Sequence, residues 1–368
     1  MSDLFFYGTL RHVPLLETVL GRDASDLSLA HADLPGYAVC AVKEGPFPTI
    51  VPRHGETAQG VLVKGLQAQD IARLNYYEGG FDYDLVKVTL ADGHEAQVYM
   101  PPPDVWTAME PWDLAEWESH WAALSVEAAQ EVMGHLGTLS RAQVAEKFGM
   151  IRTRAWGRVL ARSPRTSQGV FDGRIELAEA RRAYTGYFAV DELVMRHELF
   201  GGGMSDALDR SVFLASDVAI VLPYDPNRDA VLLVEQVRLG PIGRKDPTVW
   251  QLEPIAGRID PGEQPEAAAR REASEEAGLD LHRLELVSES YPTPGTSTEF
   301  YHIFVGLTDL PDSAAGLGGL ETEAEDIRAR IVGFDTFLQM AETRALANTP
   351  LHMLAYWLAH HRKRLRSG

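Results

Sequence analysis

The stretch GRIDPGEQPEAAARREASEEAGL, residues 257–279, decides the fold of the C-terminal half of the chain. Residues 265–277 are mostly good helix formers, whereas Gly257 and the sequence DPG at 260–262 are typical of loops and turns. The stretch therefore predicts a loop that leads into a helix.

Three glutamates crowd one face of this predicted helix. Glu272 and Glu276 are four residues apart and share a face, and Glu275 lies beside them. Crowded carboxylates repel one another and raise one another's pKa unless a cation lies between them. Mg²⁺ suits such a face because it takes oxygen ligands and shares them between carboxylates and substrate phosphates.

The fixed positions of the stretch match a known motif. Gly257, Glu263 and the segment REASEEAGL at 271–279 fill every fixed position of the Nudix box. The match favours a metal site over a solvated acidic helix face, which is the usual fate of a charge run. We expect Glu263 and Arg271 to form an ion pair between the loop and the helix.

Bulk properties limit the remaining possibilities. A chain of 368 residues exceeds the size at which one core keeps growing, so two domains are expected. The net charge of −19 works against binding nucleic acid or anionic membranes. The N-terminus lacks a signal pattern, Cys40 cannot form an internal disulfide, and no apolar run approaches the roughly 20 residues of a spanning helix. We expect a cytoplasmic protein without nucleic-acid or membrane partners.

The N-terminal segment carries a second resemblance. LFFYGTL at 4–10 predicts a strand and a turn, and further strands are predicted at 38–42, 60–63, 84–90 and 96–100, with a helix at 68–74. The YGTL turn, LNYYEGGFDYDLVKV at 74–88 and AQVYMP at 96–101 resemble the γ-glutamylcyclotransferase-like (AIG2-like) fold, a small mixed barrel, over residues 3–110.

That resemblance implies a site. Backbone N–H groups of Tyr7, Gly8, Thr9 and Leu10 would bind a substrate carboxylate, and Glu78 would act as general acid and base. Aromatic neighbours would raise the pKa of Glu78 towards a value suited to proton transfer. A scaffold that binds a ligand without catalysis is the alternative.

Residues 111–175 predict a helical extension between the two domains. Apolar residues recur at helical spacing over 112–124, 126–136 and 139–160. The last segment contains Arg152, Arg154, Arg158 and Arg162 and has a helix-turn-helix as an alternative interpretation. Because the chain is acidic, an interdomain linker or dimer element is favoured over a DNA-binding element.

The second domain is predicted over residues 176–368. Strand-like segments at 184–197, 210–214, 218–223 and 231–238 precede the box, and others at 284–291, 299–305 and 328–334 follow it, before a helix at 351–364. FGGGMSDALDRSVF at 200–213, WQLEPIAGRIDPGE at 250–263 and GLETEAEDIR at 319–328 resemble the ADP-ribose pyrophosphatase branch of the Nudix superfamily. The fold class is thus α/β (α+β): a mixed barrel at 1–110, a helical linker at 111–175 and an α/β/α sandwich. Similar fusions are associated with tellurite resistance.

The resemblance assigns roles at several positions. The metal ligands for Mg²⁺, or Mn²⁺, would be the Ala256 carbonyl, Glu272, Glu276 and Glu325. The catalytic candidates are Glu275, beside the ligands, and Glu323, a water-activating base in a glycine-rich loop that can close over substrate. The substrate-binding candidates are Arg238 and Arg210 for the diphosphate, Tyr187 for adenine and Glu299 for ribose. Asp209 departs from the basic residue of the family.

These roles imply Mg²⁺-dependent hydrolysis of ADP-ribose, or a related ADP-sugar, to AMP and ribose 5-phosphate by a homodimer that shares residues across its interface. Two alternatives are a cyclotransferase as the main activity and a nucleotide-sensing regulatory protein.

Overall fold

The structure is a computed structural model that describes residues 1–79, 83–163, 171–319 and 325–367. The chain divides into two compact units, Met1–Gln168 (unit 1) and Gly169–Gly368 (unit 2). The predicted helical extension after residue 111 packs largely within unit 1.

Unit 1 contains a six-stranded mixed sheet. Its strands are β1 Ser2–Phe6, β2 Ser28–Val42, β3 Gly45–Leu66, β4 Asp84–Thr89, β5 Glu95–Met100 and β6 Ala108–Pro111. They lie in the order β4-β5-β1-β3-β2-β6, with β1 parallel to β5 and the other pairs antiparallel. The predicted fold class is confirmed. The prediction of a barrel is wrong in one respect. The described strands form an open sheet, with β4 and β6 at opposite edges.

A close backbone approach positions β1 on the sheet. Gly60 of β3 lies so near the Phe5 ring and the carbonyl of Phe6 that a Cβ would overlap both. A glycine in a strand is costly unless such an approach requires it. Gly60 therefore brings the end of β1, and the turn that follows it, against the sheet.

The described residues of unit 1 form four α-helices, α1 Val13–Leu20, α2 Ala68–Glu78, α3 Leu114–Gly134 and α4 Arg141–Leu160. A capping box between Ser140 and Gln143 begins α4, and the helix continues through Gly149. The helix-turn-helix interpretation of 139–160 is wrong, because the segment is one continuous helix.

Buried ion pairs join α3 to α4. Arg154 donates to Glu131 over 2.6 Å, and the two side chains are 2% and 3% exposed. Arg158 donates to Glu127 over 2.9 Å, and Arg162 also binds Glu127. Three of the four arginines that suggested DNA contact are thus neutralised within the helix pair.

Replacing Arg154 with Met is expected to destabilise unit 1 by up to about 3–5 kcal/mol, because the buried Glu131 carboxylate loses its closest partner and keeps only the longer contact with Arg158, at 3.3 Å. The double variant Glu131→Met/Arg154→Met should recover most of this loss, since the buried charges are then both removed. Urea unfolding followed by tryptophan fluorescence measures the change, and unit 1 contains five of the seven tryptophans.

Arg53→Met is the matched control, because Arg53 forms an exposed pair with Glu56. It should change the unfolding free energy by less than about 0.5 kcal/mol. Equal stability of wild type and Arg154→Met would contradict the assignment of the buried pair.

Unit 2 contains two sheets. The smaller is antiparallel, in the order β7 Ile175–Thr185, β8 Ala189–His197 and β9 Leu208–Leu214. The larger comprises β10 Asp217–Asp225, β11 Ala230–Val237, β12 Trp250–Glu253, β13 Ile255–Arg258, β14 Arg283–Ser290, β15 Phe300–Leu307, β16 Gly316–Gly318 and β17 Ile327–Gly333. Its main order is β14-β15-β10-β11-β17-β16, with β12 paired to β11 and β13 to β10.

Helices cover both faces of the larger sheet. They are α6 Pro265–Ala277, α7 Phe334–Glu342 and α8 Thr349–Arg366, whereas the short α5 Leu239–Arg244 has no buried residue. Alternate residues such as Ile220 and Leu222 form a core with α7 and α8. Buried Ala269 and Ala273 belong to α6, which packs on β10 and β13. The predicted α/β/α sandwich is confirmed. No helix in the described ranges is long and apolar enough to span a membrane.

Candidate functional site

One guanidinium joins the loop before α6 to the helix. Arg271 donates to both oxygens of Glu263 over 3.0 and 2.9 Å, to Glu272 over 2.7 Å and to Glu275 over 2.9 Å. It also donates to the carbonyl of Arg258 over 3.0 Å. The predicted Glu263–Arg271 ion pair is confirmed, and the same arginine neutralises part of the acidic face.

Glu276 is the most buried carboxyl of this face, with 3% exposure. Burial, followed by the charges of the nearby Glu272 and Glu325 carboxylates, raises its pKa to about 9 against the opposing effects of Arg238 and the Ala256 amide. Its Oε2 atom is buried without a hydrogen-bond partner in the described residues. Such an oxygen, directed among other carboxylates, is stabilised by a cation.

Gly257 explains the first fixed position of the motif. A Cβ on this residue would overlap the carboxyl of Glu272, so the glutamate lies directly against the backbone of β13. A residue with a side chain would displace it. The neighbouring Ala256 contributes its N–H to Glu276, and the role of its carbonyl as a ligand stays a prediction.

The donor set fits a hard divalent cation. Glu272, Glu276 and Glu325 provide oxygen atoms alone, and one of those oxygens is orphaned. Across the described ranges, no three acidic, histidine or cysteine side chains are gathered closely enough to hold an ion unaided. Mg²⁺ does not require three protein ligands close together, because it is commonly bound by one or two carboxylates together with water and substrate phosphates.

Arg238 and Glu299 lie near this cluster. Arg238 donates to Glu253 over 2.5 Å and is close enough to Glu276 to lower its pKa. Glu299 is hydrogen-bonded to Tyr301, and burial raises the pKa of Glu299. The charges of Glu253 and Arg238 also act on the Tyr301 hydroxyl. The structure thus brings two predicted substrate-binding residues to the metal-binding candidates.

Tyr187 and Arg210 occupy the smaller sheet. Tyr187 lies between β7 and β8, and the Arg258 guanidinium stands 4.3 Å from the centre of its ring. This contact places Tyr187 beside β13. Arg210 is exposed on β9 and donates to the carbonyl of Asp209. No hydrogen bond or ion pair joins Arg210 to the box in the ranges that the structure describes.

The predicted base Glu323 lies outside the described residues. On either side of that gap, Gly319 and Glu325 are close, since a Cβ on Gly319 would lie 2.9 Å from the Cβ of Glu325. Glu325 in turn raises the pKa of Glu276. The end of this loop is therefore beside α6.

Sequence reasoning missed three participants, Arg258, Glu253 and Tyr301. Arg258 fills a variable position of the motif, so the motif gave no signal for it. Glu253 comes within the quoted WQLEP segment, but its pairing with Arg238 depends on the register between β11 and β12, where Val237 lies opposite Trp250. Tyr301 alternates with buried β15 residues and looks like core.

Unit 1 contains a cavity of about 370 Å³. Tyr7, Gly8, Thr9, Leu10 and Glu78 all line it. A Cβ on Gly8 would lie 3.1 Å from the Pro48 ring, so the turn after β1 fits tightly against β3. The structure therefore places both elements of the predicted acid–base site in one cavity.

Burial governs the chemistry of this cavity. It raises the pKa of Glu78 to about 7. It also raises the pKa values of Tyr7, Tyr77 and Tyr83, and the Glu78 charge adds to each shift. Near neutral pH the carboxyl is therefore divided between its acid and base forms.

Sequence reasoning did not assign α3 and α4 to the cavity. Ser125 and Val132 of α3, with Val144, Phe148 and Arg152 of α4, form part of its wall. Their apolar periodicity predicted helices, but it could not show which partner they pack against.

Comparison with known proteins identifies both units. A family model described as gamma-glutamyl cyclotransferase, AIG2-like, matches residues 4–141, and one described as NUDIX domain matches 214–350. The ADP-ribose pyrophosphatase of Escherichia coli K12 is 37% identical over 193 residues, which cover 52% of this chain and 91% of that relative. The chain belongs to the NUDIX family. It is a fusion of an N-terminal AIG2-like unit and a C-terminal NUDIX unit.

Other relatives of the NUDIX unit carry two different names. The ADP-ribose pyrophosphatase of Haemophilus influenzae is 38% identical over 162 residues, covering 43% of this chain and 73% of that relative. The GDP-mannose pyrophosphatase of Cronobacter sakazakii is 34% identical over 118 residues, covering 32% of this chain and 61% of that relative.

Replacing Glu78 with Gln should stabilise the AIG2-like unit at pH 8 and not at pH 4.5. The folded pKa of about 7 lies above the ordinary value of 4.5, so wild-type stability is highest below pH 4.5. This stability falls as the pH rises through 7, because the folded unit must then bury a charged carboxylate. The expected gain at pH 8 is up to about 3 kcal/mol, measured by urea unfolding.

Glu110→Gln on β6 is the control, because Glu110 is exposed. It should show no pH-dependent gain. A Glu78→Gln effect that is equal at both pH values would show that the side chain contributes by packing and not by ionisation.

Proposed function

We propose that the NUDIX unit hydrolyses the diphosphate of ADP-ribose or a related ADP-sugar with Mg²⁺, or Mn²⁺ in its place. The supporting observation is the orphaned oxygen of Glu276, buried beside Glu272 and Glu325. The names of the first relatives support the ADP-ribosyl substrate, since they are ADP-ribose pyrophosphatases. A nucleotide-sensing role without turnover has less support, because every glutamate of the motif is present.

The residues of the site have distinct tasks in this mechanism. Bound Mg²⁺ would neutralise charge on the diphosphate and lower the pKa of a water molecule. Glu272 and Glu276 would hold the ion from α6 and Glu325 from the adjoining loop. Arg238, which donates to Glu253, would donate to a phosphate oxygen.

The proposed hydrolysis is a single displacement. The oxygen of water bonds to one phosphorus while the bridging P–O bond breaks, and the proton of the water passes to Glu323. The products are AMP and ribose 5-phosphate. Tyr187 would stack on adenine on a face that Arg258 leaves accessible, and Glu299 would accept hydrogen bonds from ribose hydroxyls.

We also propose a homodimer for the NUDIX unit. Apolar side chains of β7 are exposed in the single chain, among them Ile175 at 66% and Tyr184 at 59%. Exposed apolar residues concentrated on one sheet are typical of an interaction surface. Light scattering measures the assembly.

Glu276→Gln should lower kcat for ADP-ribose by about 10²–10³-fold while KM changes little, because the lost interaction acts on the charge of the transition state. Release of AMP and ribose 5-phosphate at saturating Mg²⁺, with and without chelator, measures the effect. Glu342→Gln, at the exposed end of α7, is the control and should match wild type. Unchanged kcat in Glu276→Gln would refute the metal-ligand role.

A second activity is proposed for the AIG2-like unit, cyclisation of a γ-glutamyl compound. The supporting observation is that Glu78 and the turn at 7–10 line one cavity. The α-amino nitrogen of the donor would attack the γ-carbonyl carbon, and the bond from that carbon to the leaving amine would break. Glu78 would take the proton of the attacking amine and return it to the leaving one, giving 5-oxoproline and a free amine.

Glu78→Gln should lower 5-oxoproline release by about 10²–10⁴-fold, because the amide cannot carry the proton. The same variant should retain ADP-ribose hydrolysis, and Glu276→Gln should show the reverse pattern. The two variants are therefore controls for each other. Absence of 5-oxoproline release from every γ-glutamyl donor tested with wild type would count against this second activity.

A further inference from the structure

Helix α4 forms one wall of the unit 1 cavity, although nearly all of it lies beyond residues 4–141, which the AIG2-like family model matches. The α4 residues that line the cavity are Arg141, Val144, Ala145, Phe148 and Arg152. Their spacing of one, three and four residues places them along one stripe of the helix. The stripe is apolar at its centre and carries an arginine at each end.

Arg152 faces away from the ion pairs that fix α4. Residues two apart lie about 200° apart around a helix, so Arg152 and Arg154 project from opposite sides. Arg154 and Arg158 bind glutamates of α3. Arg152 has no carboxylate partner in the ranges that the structure describes, and its guanidinium lies 5.9 Å from the centre of the Trp121 ring.

The cavity carboxyl Glu78 forms no ion pair with Arg152 in the described residues. Burial raises the pKa of Glu78 to about 7. Burial also lowers the pKa of Arg152, as expected for a charge held away from water without an anion. Arg152 and Glu78 are thus two separate polar groups in a largely aromatic cavity.

A ligand that binds Arg152 must carry an anionic group and must fit the cavity. An arginine guanidinium matches a carboxylate with two parallel hydrogen bonds. A cavity of about 370 Å³ is at the small end of ligand pockets, roughly 300–1,000 Å³, which suits a compound of dipeptide size. The turn at 7–10 is the proposed site for the carboxylate of the glutamyl group, so an anion at Arg152 would be a second one.

We propose that Arg152 binds a carboxylate on the amine portion of the ligand, so that the AIG2-like unit selects γ-glutamyl amino acids over γ-glutamyl amines. This inference rests on the proposed cyclotransferase activity. Arg152 is then a specificity-determining residue supplied by a helix outside the family match. Arg141, the other arginine of the stripe, donates to the carbonyl of Asn75 over 2.7 Å, whereas Arg152 has no ion pair in the described residues.

The test uses two donors, γ-glutamylalanine and γ-glutamylethylamide, that differ by one carboxylate. For the full chain, kcat/KM for 5-oxoproline release should be about 10- to 100-fold higher with γ-glutamylalanine, the size expected for one charged hydrogen-bonded contact. Arg152→Ala should lose that advantage, with turnover of γ-glutamylethylamide unchanged within about twofold. Arg152→Lys should retain part of it.

Lys147→Ala is the matched control, because it removes a cation from the same helix at a position that does not line the cavity. It should keep the wild-type preference. Equal loss of both donors in Arg152→Ala, or no preference in wild type, would overturn the inference while leaving the cyclotransferase activity standing.

A separate outcome applies if neither donor is cleaved, which would refute the cyclotransferase activity. Calorimetric titration of the same two compounds into wild type, Arg152→Ala and Glu78→Gln then decides the inference. Tighter binding of γ-glutamylalanine by wild type and Glu78→Gln, abolished in Arg152→Ala, supports it. Equal binding of the two compounds, or no binding of either, overturns it.

Discussion

The contact of Arg271 with three glutamates and one backbone carbonyl is the constraint on which the NUDIX unit depends. Glu263, Glu272 and Glu275 would repel one another along the loop and the last turns of α6 if their charges were not offset. One planar guanidinium reaches all three and also fixes the loop at Arg258. Glu276 receives no hydrogen bond from Arg271, burial raises its pKa, and its Oε2 atom is without a hydrogen-bond partner in the described residues. Arg271 thus braces the loop against the helix, while Glu272 and Glu276 remain the proposed metal ligands of α6.

The AIG2-like unit also uses glutamate and arginine side chains, but in a different arrangement. Its Glu78 lies in a cavity lined by several tyrosines, and burial raises the pKa of Glu78 to about 7. The arginines of α4 are sorted by helical periodicity into those that bind α3, Arg154 and Arg158, and those that line the cavity, Arg141 and Arg152. Position around α4, and not residue type, decides whether an arginine contributes to stability or recognition.

Local patterns in the sequence predicted much of this structure. The box, its ion pair and α6 depend on neighbours within a few turns of one helix, so spacing was sufficient. The segments 84–90 and 96–100 were likewise found as β4 and β5. The β2–β3 hairpin was predicted only as short pieces at 38–42 and 60–63, because its 15 and 22 residues include prolines and polar runs that obscure alternation. The location of Arg152 at the cavity depends on how α4 packs, which periodicity does not specify. The Tyr187–Arg258 contact likewise joins residues that are distant in sequence.

The buried ion pairs between α3 and α4 also determine where the N-terminal unit can be separated from the rest of the chain. A fragment cut where the family match ends, at residue 141, would keep Glu127 and Glu131 on α3 and discard the guanidiniums that neutralise them. Two carboxyls would then be stranded on an uncovered apolar surface. The helix that looks like an appendage is therefore inseparable from the module it follows, and any recombination that preserves this unit must carry the chain to at least Leu160.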